Sequence, residues 1–104
     1  MRVHDLEIPT EEVAEFCRKW HVREMWVFGS ILRDDFRPES DVDVLVAFEA
    51  DYSWRLRDLI EMEEELSGVL GRKVDLAERT SVERSENYIR RRHILNSLRR
   101  LYVA

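Results

Sequence analysis

Cysteine, proline and glycine are scarce in this sequence, which contains one, two and three of them, respectively. The lone Cys17 cannot form an internal disulfide, and we expect it to be a small buried hydrophobe on a helix rather than a nucleophile. So little proline and glycine is not typical of a disordered or fibrous chain. These scarcities indicate a folded protein that is rich in helix.

Long apolar runs are absent as well. No run approaches the length needed to cross a bilayer, and the first residues lack the apolar core of a signal peptide. The three histidines, His4, His21 and His93, do not have the spacing of a zinc site. We therefore expect one domain over residues 1–104, located in the cytoplasm and without a membrane partner.

The net charge of −5 is distributed unevenly along the chain. Residues 1–78 carry ten Lys and Arg against twenty Asp and Glu, whereas residues 79–104 carry seven Arg against two Glu. Because neutralisation of phosphates dominates the binding of long nucleic acids, the acidic majority argues against nucleic acid as a direct substrate. The basic C-terminal part can still meet an acidic protein surface or a triphosphate.

Hydrophobic periodicity predicts alternating helices and strands. Apolar residues at helical spacing predict helices over 10–20, from Leu56 to a stop at Gly68 or Gly71, and from about Glu86 to Val103. Short apolar runs predict strands over 23–28, 41–48 and 72–76, with a short helix or turn from Ser30 to about Phe36. This order predicts an α/β (α+β) fold with a small mixed sheet of about three to four strands packed by helices.

The most informative motif is Gly29-Ser30, followed after ten residues by Asp41-Val42-Asp43. Side chains two positions apart on a strand lie on one face, so Asp41 and Asp43 project together while Val42 points into a core. Two carboxylates this close repel each other unless a cation lies between them, and hard oxygen ligands favour Mg²⁺. The motif therefore predicts a metal site beside a tight turn.

These residues resemble the minimal nucleotidyltransferases (MNT) of the DNA polymerase beta-like superfamily, whose motif is Gly-Ser, ten residues, then Asp-x-Asp. Residues 28–46 fit this pattern without insertion, and Asp75 lies where the family has a third acid. The resemblance implies a polymerase beta-like nucleotidyltransferase fold. It also implies that Asp41, Asp43 and Asp75 are catalytic and ligate two Mg²⁺ ions, with Asp75 assisting as a general base.

The same resemblance assigns the nucleotide to the turn. Gly29 lets the backbone approach a phosphate and Ser30 offers a hydroxyl and an amide, so that together they hold the β and γ phosphates of ATP. Arg33 can reach the triphosphate. Alone, a Gly-Ser pair predicts only a turn and Asp-x-Asp only a solvated strand edge, but their joint match favours function. For Asp75, both a catalytic role and simple surface exposure stay open.

The family also implies a partner. Its antitoxin members pair with a HEPN toxin, a helical ribonuclease, and transfer AMP from ATP to a tyrosine hydroxyl of that toxin. Two alternatives are an antitoxin that neutralises its toxin by binding alone, and a dimeric nucleotidyltransferase acting on a small molecule. The sequence does not identify the nucleotide, the acceptor residue, the number of transfers or the stoichiometry of a complex.

Two other groups of residues receive structural interpretations. Arg90, Arg91, Arg92 and His93 lie on one predicted helix, and we expect the arginines to form a solvated or partner-facing surface. The three tryptophans are expected to be core or interface anchors rather than platforms for base stacking. They are Trp20, Trp26 and Trp54.

Overall fold

The computed structural model describes residues 1–3, 6–33, 36–37 and 39–104. The strands are β1 (Arg2–Val3), β2 (Leu6–Glu7), β3 (Val22–Phe28), β4 (Val42–Phe48), β5 (Val74–Glu78) and β6 (Arg99–Val103). The helices are α1 (Thr10–Lys19), a 3₁₀ helix (Gly29–Leu32), α2 (Leu56–Leu70), α3 (Arg79–Glu83) and α4 (Tyr88–Leu95). In the part of the chain so described, no helix is both long and apolar enough to span a membrane.

A mixed four-stranded sheet forms the centre of the fold. Its strand order is β5-β4-β3-β6, with β4 and β5 parallel and β3 antiparallel to both β4 and β6. The strands β1 and β2 pair separately as a small antiparallel sheet. This arrangement confirms the predicted mixed sheet and its first three strands, although the third is shifted toward the C-terminus by two residues.

The sheet is covered on both faces, and β4 contributes to both cores. Val42, Val44 and Val46 pack with the buried residues of α1 and α2, whereas Leu45 and Ala47 form a second cluster. The other buried members of that second cluster are Trp26, Val82 and Ile94. An inner strand with both faces covered is apolar at nearly every position, which explains why β4 reads as a continuous hydrophobic run.

The predicted burial of Cys17 is confirmed, and the three tryptophans pack against the core, in agreement with their predicted role as anchors. Cys17 is fully buried, and this burial raises the pKa of its thiol to about 12, so the thiol stays protonated at neutral pH. Trp26 is buried in the second cluster, and Trp20 and Trp54 pack partly buried against the first. All three indoles therefore serve the packing of the domain.

The helix α2 uses a narrower apolar stripe than its sequence suggested. Met62, Leu66 and Leu70 are buried, one helical turn apart, and face the sheet. Leu56 and Ile60, two further apolar residues that contribute to the helical periodicity of this segment, are 69% and 55% exposed, respectively. They lie toward the side of the helix that the sheet does not cover.

The predicted helix from Glu86 to Val103 is wrong in its second half. The helix α4 ends at Leu95, and residues 99–103 form β6, which pairs with the edge of β3. Leu101 and Tyr102 pack partly buried against the main core from this strand. Pairing with β3 supplies backbone hydrogen bonds and burial that a solvent-exposed continuation of α4 would lack, so tertiary contacts override the helical periodicity.

The helix α3 was not predicted, and a buried acid explains its position. Glu78, 3% exposed, accepts hydrogen bonds from the backbone N–H groups of Thr80 and Ser81, both at 2.9 Å. Burial alone would raise the pKa of this carboxyl, but hydrogen bonds from the backbone and side chains of Thr80 and Ser81 outweigh it and lower the pKa. Glu78 is therefore an N-cap, which starts α3 directly after β5.

Side chains of α2 accept hydrogen bonds from backbone N–H groups at the outer edge of β5. The N–H of Val74 donates to the Ser67 hydroxyl at 3.0 Å, and the N–H of Leu76 donates to the Glu63 carboxylate at 2.9 Å. The Ser67 hydroxyl in turn donates to the Glu63 carbonyl oxygen at 2.7 Å. Edge strands expose unpaired N–H groups, so these bonds fix the strand that carries Asp75.

Substituting the two glycines of α2 should change stability in opposite directions. Gly68 lies inside the helix with no atom within 4 Å of an added Cβ, so Gly68→Ala should stabilise the fold by about 1 kcal/mol. Gly71 ends the helix with a φ of +69°, so Gly71→Ala should destabilise it by about 1 kcal/mol. Urea unfolding measures both, and changes of the same sign would contradict this description of the helix end.

Removing the Glu63 carboxylate should weaken the edge of β5. Glu63→Ala leaves the Leu76 N–H without its partner, and we expect a loss of about 1 kcal/mol in unfolding free energy. Glu63→Gln, which keeps an acceptor oxygen, should lose less. The neighbouring Glu64 is exposed, so Glu64→Ala is the matched control. Equal losses for Glu63→Ala and Glu64→Ala would show that the bond to β5 has no part in stability.

Candidate active site

Asp43 and Asp75 lie opposite each other on neighbouring strands. The parallel register of β4 and β5 pairs Asp43 with Asp75, and the pairing begins one residue earlier at Val42 and Val74. Paired residues of parallel strands point to the same face, and such strands are about 4.8 Å apart. The two carboxylates that the sequence placed on separate segments are thus brought together on one face of the sheet.

Asp41 precedes β4 in a loop that Arg72 holds in place. The guanidinium Nη2 of Arg72 donates to the carbonyl oxygens of Arg37 and Ser40, both at 2.7 Å. The Ser40 hydroxyl also accepts from the Arg37 N–H at 3.1 Å. Arg72 therefore fixes the backbone immediately before Asp41. Its role could not be read from the sequence, because both of its partners are backbone oxygens more than 30 residues away.

Gly29 is required at its position for two reasons. Its φ of +75° lies in the left-handed region that side chains disfavour, and a Cβ built on it would collide with the Asp43 carboxylate. The contact arises because Phe28, at the end of β3, pairs with Asp43 on β4. Ser30 follows within the 3₁₀ helix, and Arg33 directly after it. The Gly-Ser turn and the acidic strand are therefore in contact.

A cavity of about 510 Å³ opens between this turn and α4. The turn, β4 and the α4 region line it with Phe28, Gly29, Leu32, Arg33, Asp43, Arg90, His93, Ile94 and Ser97. Ser30, Asp41 and Asp75 are not among these lining residues. Arg90 was predicted on a solvated or partner-facing surface and is exposed, as predicted; in addition, Arg90 and His93 line this cavity, which the sequence did not indicate. Helical periodicity located α4 but carried no information on which part of the sheet it would cover.

Asp43 has the most perturbed acidity among these residues. Burial raises the pKa of its carboxyl to about 6, and the neighbouring Asp75 and Asp41 carboxylates contribute to the rise. Arg33 and Arg90 act in the opposite direction and lower this pKa. The three acids are therefore close enough to interact electrostatically, and the ionised cluster lacks sufficient positive charge of its own.

Carboxylate oxygens are the donors that Mg²⁺ prefers, and a divalent ion would relieve the repulsion at Asp43. Over the ranges that the structure describes, no group of three or more His, Cys, Asp or Glu side chains is already gathered for a metal ion. The assignment of Asp41, Asp43 and Asp75 as metal ligands therefore stays a prediction. Their chemistry fits the ion.

The sequence profile of the nucleotidyltransferase domain family matches residues 11–100. Protein adenylyltransferase MntA of Thermococcus cleftensis is 42% identical over 76 residues, which span 73% of this chain and 75% of that protein. A chain of a toxin–antitoxin complex solved with AMP-PNP has a TM-score of 0.69 at 18% identity, over 92% of this chain and 74% of that chain.

A second solved complex contains the tri-AMPylated HEPN toxin of Shewanella oneidensis and an MNT antitoxin. One of its chains has a TM-score of 0.61 at 18% identity, over 91% of this chain and 70% of that chain. These two likenesses extend over nearly all of the chain and confirm the predicted fold class.

The chain belongs to the nucleotidyltransferase domain family, in its minimal nucleotidyltransferase (MNT) branch. It is accordingly a nucleotidyltransferase, an enzyme class that takes a nucleoside triphosphate as substrate and uses a divalent metal ion. The residues that form the site stay a prediction. They are argued below as a proposal.

Neutralising Asp43 should stabilise the metal-free protein above neutral pH. Because the pKa of Asp43 is raised from 3.8 to about 6, this group contributes stability below pH 3.8 that is lost as the pH rises through about 6. Asp43→Asn removes that loss and should gain about 1 to 2 kcal/mol at about pH 8, after allowance for its partial exposure.

Urea unfolding in EDTA between about pH 4 and pH 8 would measure this gain. The exposed Asp51 in the turn after β4 supplies the control, since Asp51→Asn should leave the pH dependence unchanged. A gain at Asp43 that did not grow with pH would contradict the repulsion described here.

Proposed function

We propose that this chain, as one minimal nucleotidyltransferase domain, is an antitoxin that transfers AMP from ATP to a tyrosine hydroxyl of a HEPN-family toxin with two Mg²⁺ ions. The observation that carries the proposal is the pairing of Asp43 with Asp75 beside Gly29. Support for the acceptor comes from MntA, which is named a protein adenylyltransferase, and from the AMPylated HEPN toxin in complex with an MNT antitoxin.

The nucleotide would enter with its phosphates at the turn. Gly29 has no side chain, so the backbone can approach the β and γ phosphates, and Ser30 can donate its hydroxyl to them. Arg33 also lines the cavity and would add a guanidinium that matches phosphate geometry. The α phosphate would then lie toward Asp43 on β4 and Asp75 on β5.

Asp41, Asp43 and Asp75 would hold the metal ions. When bound, the ions would neutralise charge on the attacking and leaving oxygens of the in-line displacement. Asp43 is partly buried and is contacted by the turn, whereas Asp41 and Asp75 are exposed. The protein thus offers one enclosed carboxylate and two that solvent or a partner can reach.

Asp75 would accept the proton of the attacking tyrosine hydroxyl. The phenolic oxygen then forms a bond to the α phosphorus, the bond between that phosphorus and the bridging oxygen of the β phosphate breaks, and pyrophosphate leaves. The exposure of Asp75 suits an acceptor carried on the surface of another protein. Positioning and charge neutralisation supply most of the catalysis in such transfers, so a small domain is sufficient.

Mass spectrometry of the toxin tests the proposal. The chain, ATP, Mg²⁺ and the HEPN-family protein with which it forms a complex are incubated together, and the toxin should gain the mass of AMP at a tyrosine. Asp41→Asn combined with Asp43→Asn should slow this transfer by at least about 100-fold while leaving complex formation intact. The control variant Asp51→Asn should transfer AMP at the wild-type rate.

Two outcomes would replace the proposal with an alternative. Neutralisation of the toxin by the double variant, together with no mass gain from the wild type, would show an antitoxin that acts by binding alone. Turnover of ATP with a small hydroxyl compound and no protein partner would show a small-molecule nucleotidyltransferase.

A further inference from the structure

The helix α4 forms the wall of the cavity that faces the Gly-Ser turn. Arg90 and His93 both line this cavity, together with Gly29, Arg33 and Asp43. Residues three apart on a helix lie on one face, so a single face of α4 presents both side chains to the site. No role in the chemistry proposed above has been assigned to either of them.

The three consecutive arginines of α4 differ in their contacts. Arg91 donates to the Ser85 carbonyl oxygen at 3.0 Å, and Arg92 donates to the Tyr88 hydroxyl at 3.2 Å. The side chain of Arg90 makes no hydrogen bond or ion pair with the residues at 1–3, 6–33, 36–37 and 39–104. Arg90 is exposed and lines the cavity together with Asp43, whose pKa its positive charge lowers.

The charge of the site calls for such a cation. A triphosphate is itself a polyanion, and it would approach three carboxylates that already repel one another. Metal ions held by those acids would offset part of this charge, and cationic side chains on the turn and on α4 would be needed for the rest of the triphosphate. A planar guanidinium with several donors is well suited to phosphate oxygens, which it binds with two parallel hydrogen bonds.

We propose that Arg90, assisted by His93, binds the β and γ phosphates of the nucleotide and the pyrophosphate that leaves. The triphosphate would then lie between two cationic walls, with Arg33 at the end of the 3₁₀ helix and Arg90 on α4. This assignment rests on the proposed function, because it concerns the same nucleotide. It adds Arg90 and His93 of α4 to the site, and neither residue belongs to the Gly-Ser and Asp-x-Asp motif.

Binding of AMP-PNP and of AMP separates this role from a general effect on the site. By calorimetry with Mg²⁺, Arg90→Ala should raise the Kd of AMP-PNP by about 10-fold to 100-fold, because hydrogen bonds to charged groups are lost. The Kd of AMP, which lacks the β and γ phosphates, should stay within about twofold. His93→Gln should raise the Kd of AMP-PNP by about threefold to tenfold.

Arg84→Ala is the matched control, since Arg84 is an exposed arginine of the same basic segment that does not line the cavity. It should bind AMP-PNP as the wild type does. Arg90→Lys, which keeps the charge without the planar fork, should fall between the wild type and Arg90→Ala. This milder variant keeps the test decisive should Arg90→Ala fold poorly.

Several results would overturn the role of Arg90. Wild-type affinity of both Arg90 variants for AMP-PNP, equal losses for AMP-PNP and AMP, or an equal loss in Arg84→Ala would each do so. The two proposals fail separately. A wild-type chain that binds AMP-PNP through Arg90 but transfers no AMP would overturn the proposed function alone, and unchanged binding in the Arg90 variants would overturn this inference alone.

Discussion

Parallel pairing between β4 and β5 is the constraint on which the candidate site depends. It sets Asp43 opposite Asp75, an arrangement that costs stability because Asp43 is partly buried and lies beside the like charge of Asp75. The register is fixed by the alternation of buried valines on β4, and a slip of one residue would turn the Asp43 carboxylate toward the opposite core. Hydrophobic packing on both faces of the sheet therefore holds together charges that would otherwise separate.

Two polar contacts outside the site support this pairing. Side chains of α2 bind the free edge of β5, and Arg72 binds the loop that leads into Asp41. Both act on backbone atoms rather than on the carboxylates, so they fix the positions of the acids without neutralising them. The acids keep their charge for a cation, and their positions are set by a rigid scaffold.

Much of this could be predicted from the sequence, because the decisive signals are local. The spacing of Gly29 and Asp43 and the apolar run of β4 each lie within one short segment, and both were interpreted correctly in structural terms. The end of the chain was not, since β6 forms only by pairing with a strand some 75 residues earlier. That Arg90 lines the cavity could not be predicted for the same reason. The packing of α4 on the sheet, rather than its own periodicity, decides which of its side chains face the turn.

The position of β3 has a consequence for how the cavity holds its width. One of its ends runs directly into the 3₁₀ helix, and its outer edge pairs with β6, which follows α4 after a short turn. The two walls of the cavity, the turn and α4, are thus both connected to β3. A displacement of β3 would move the turn and α4 together and leave the distance between them unchanged. The connection of both walls to one strand therefore preserves the width of the cavity.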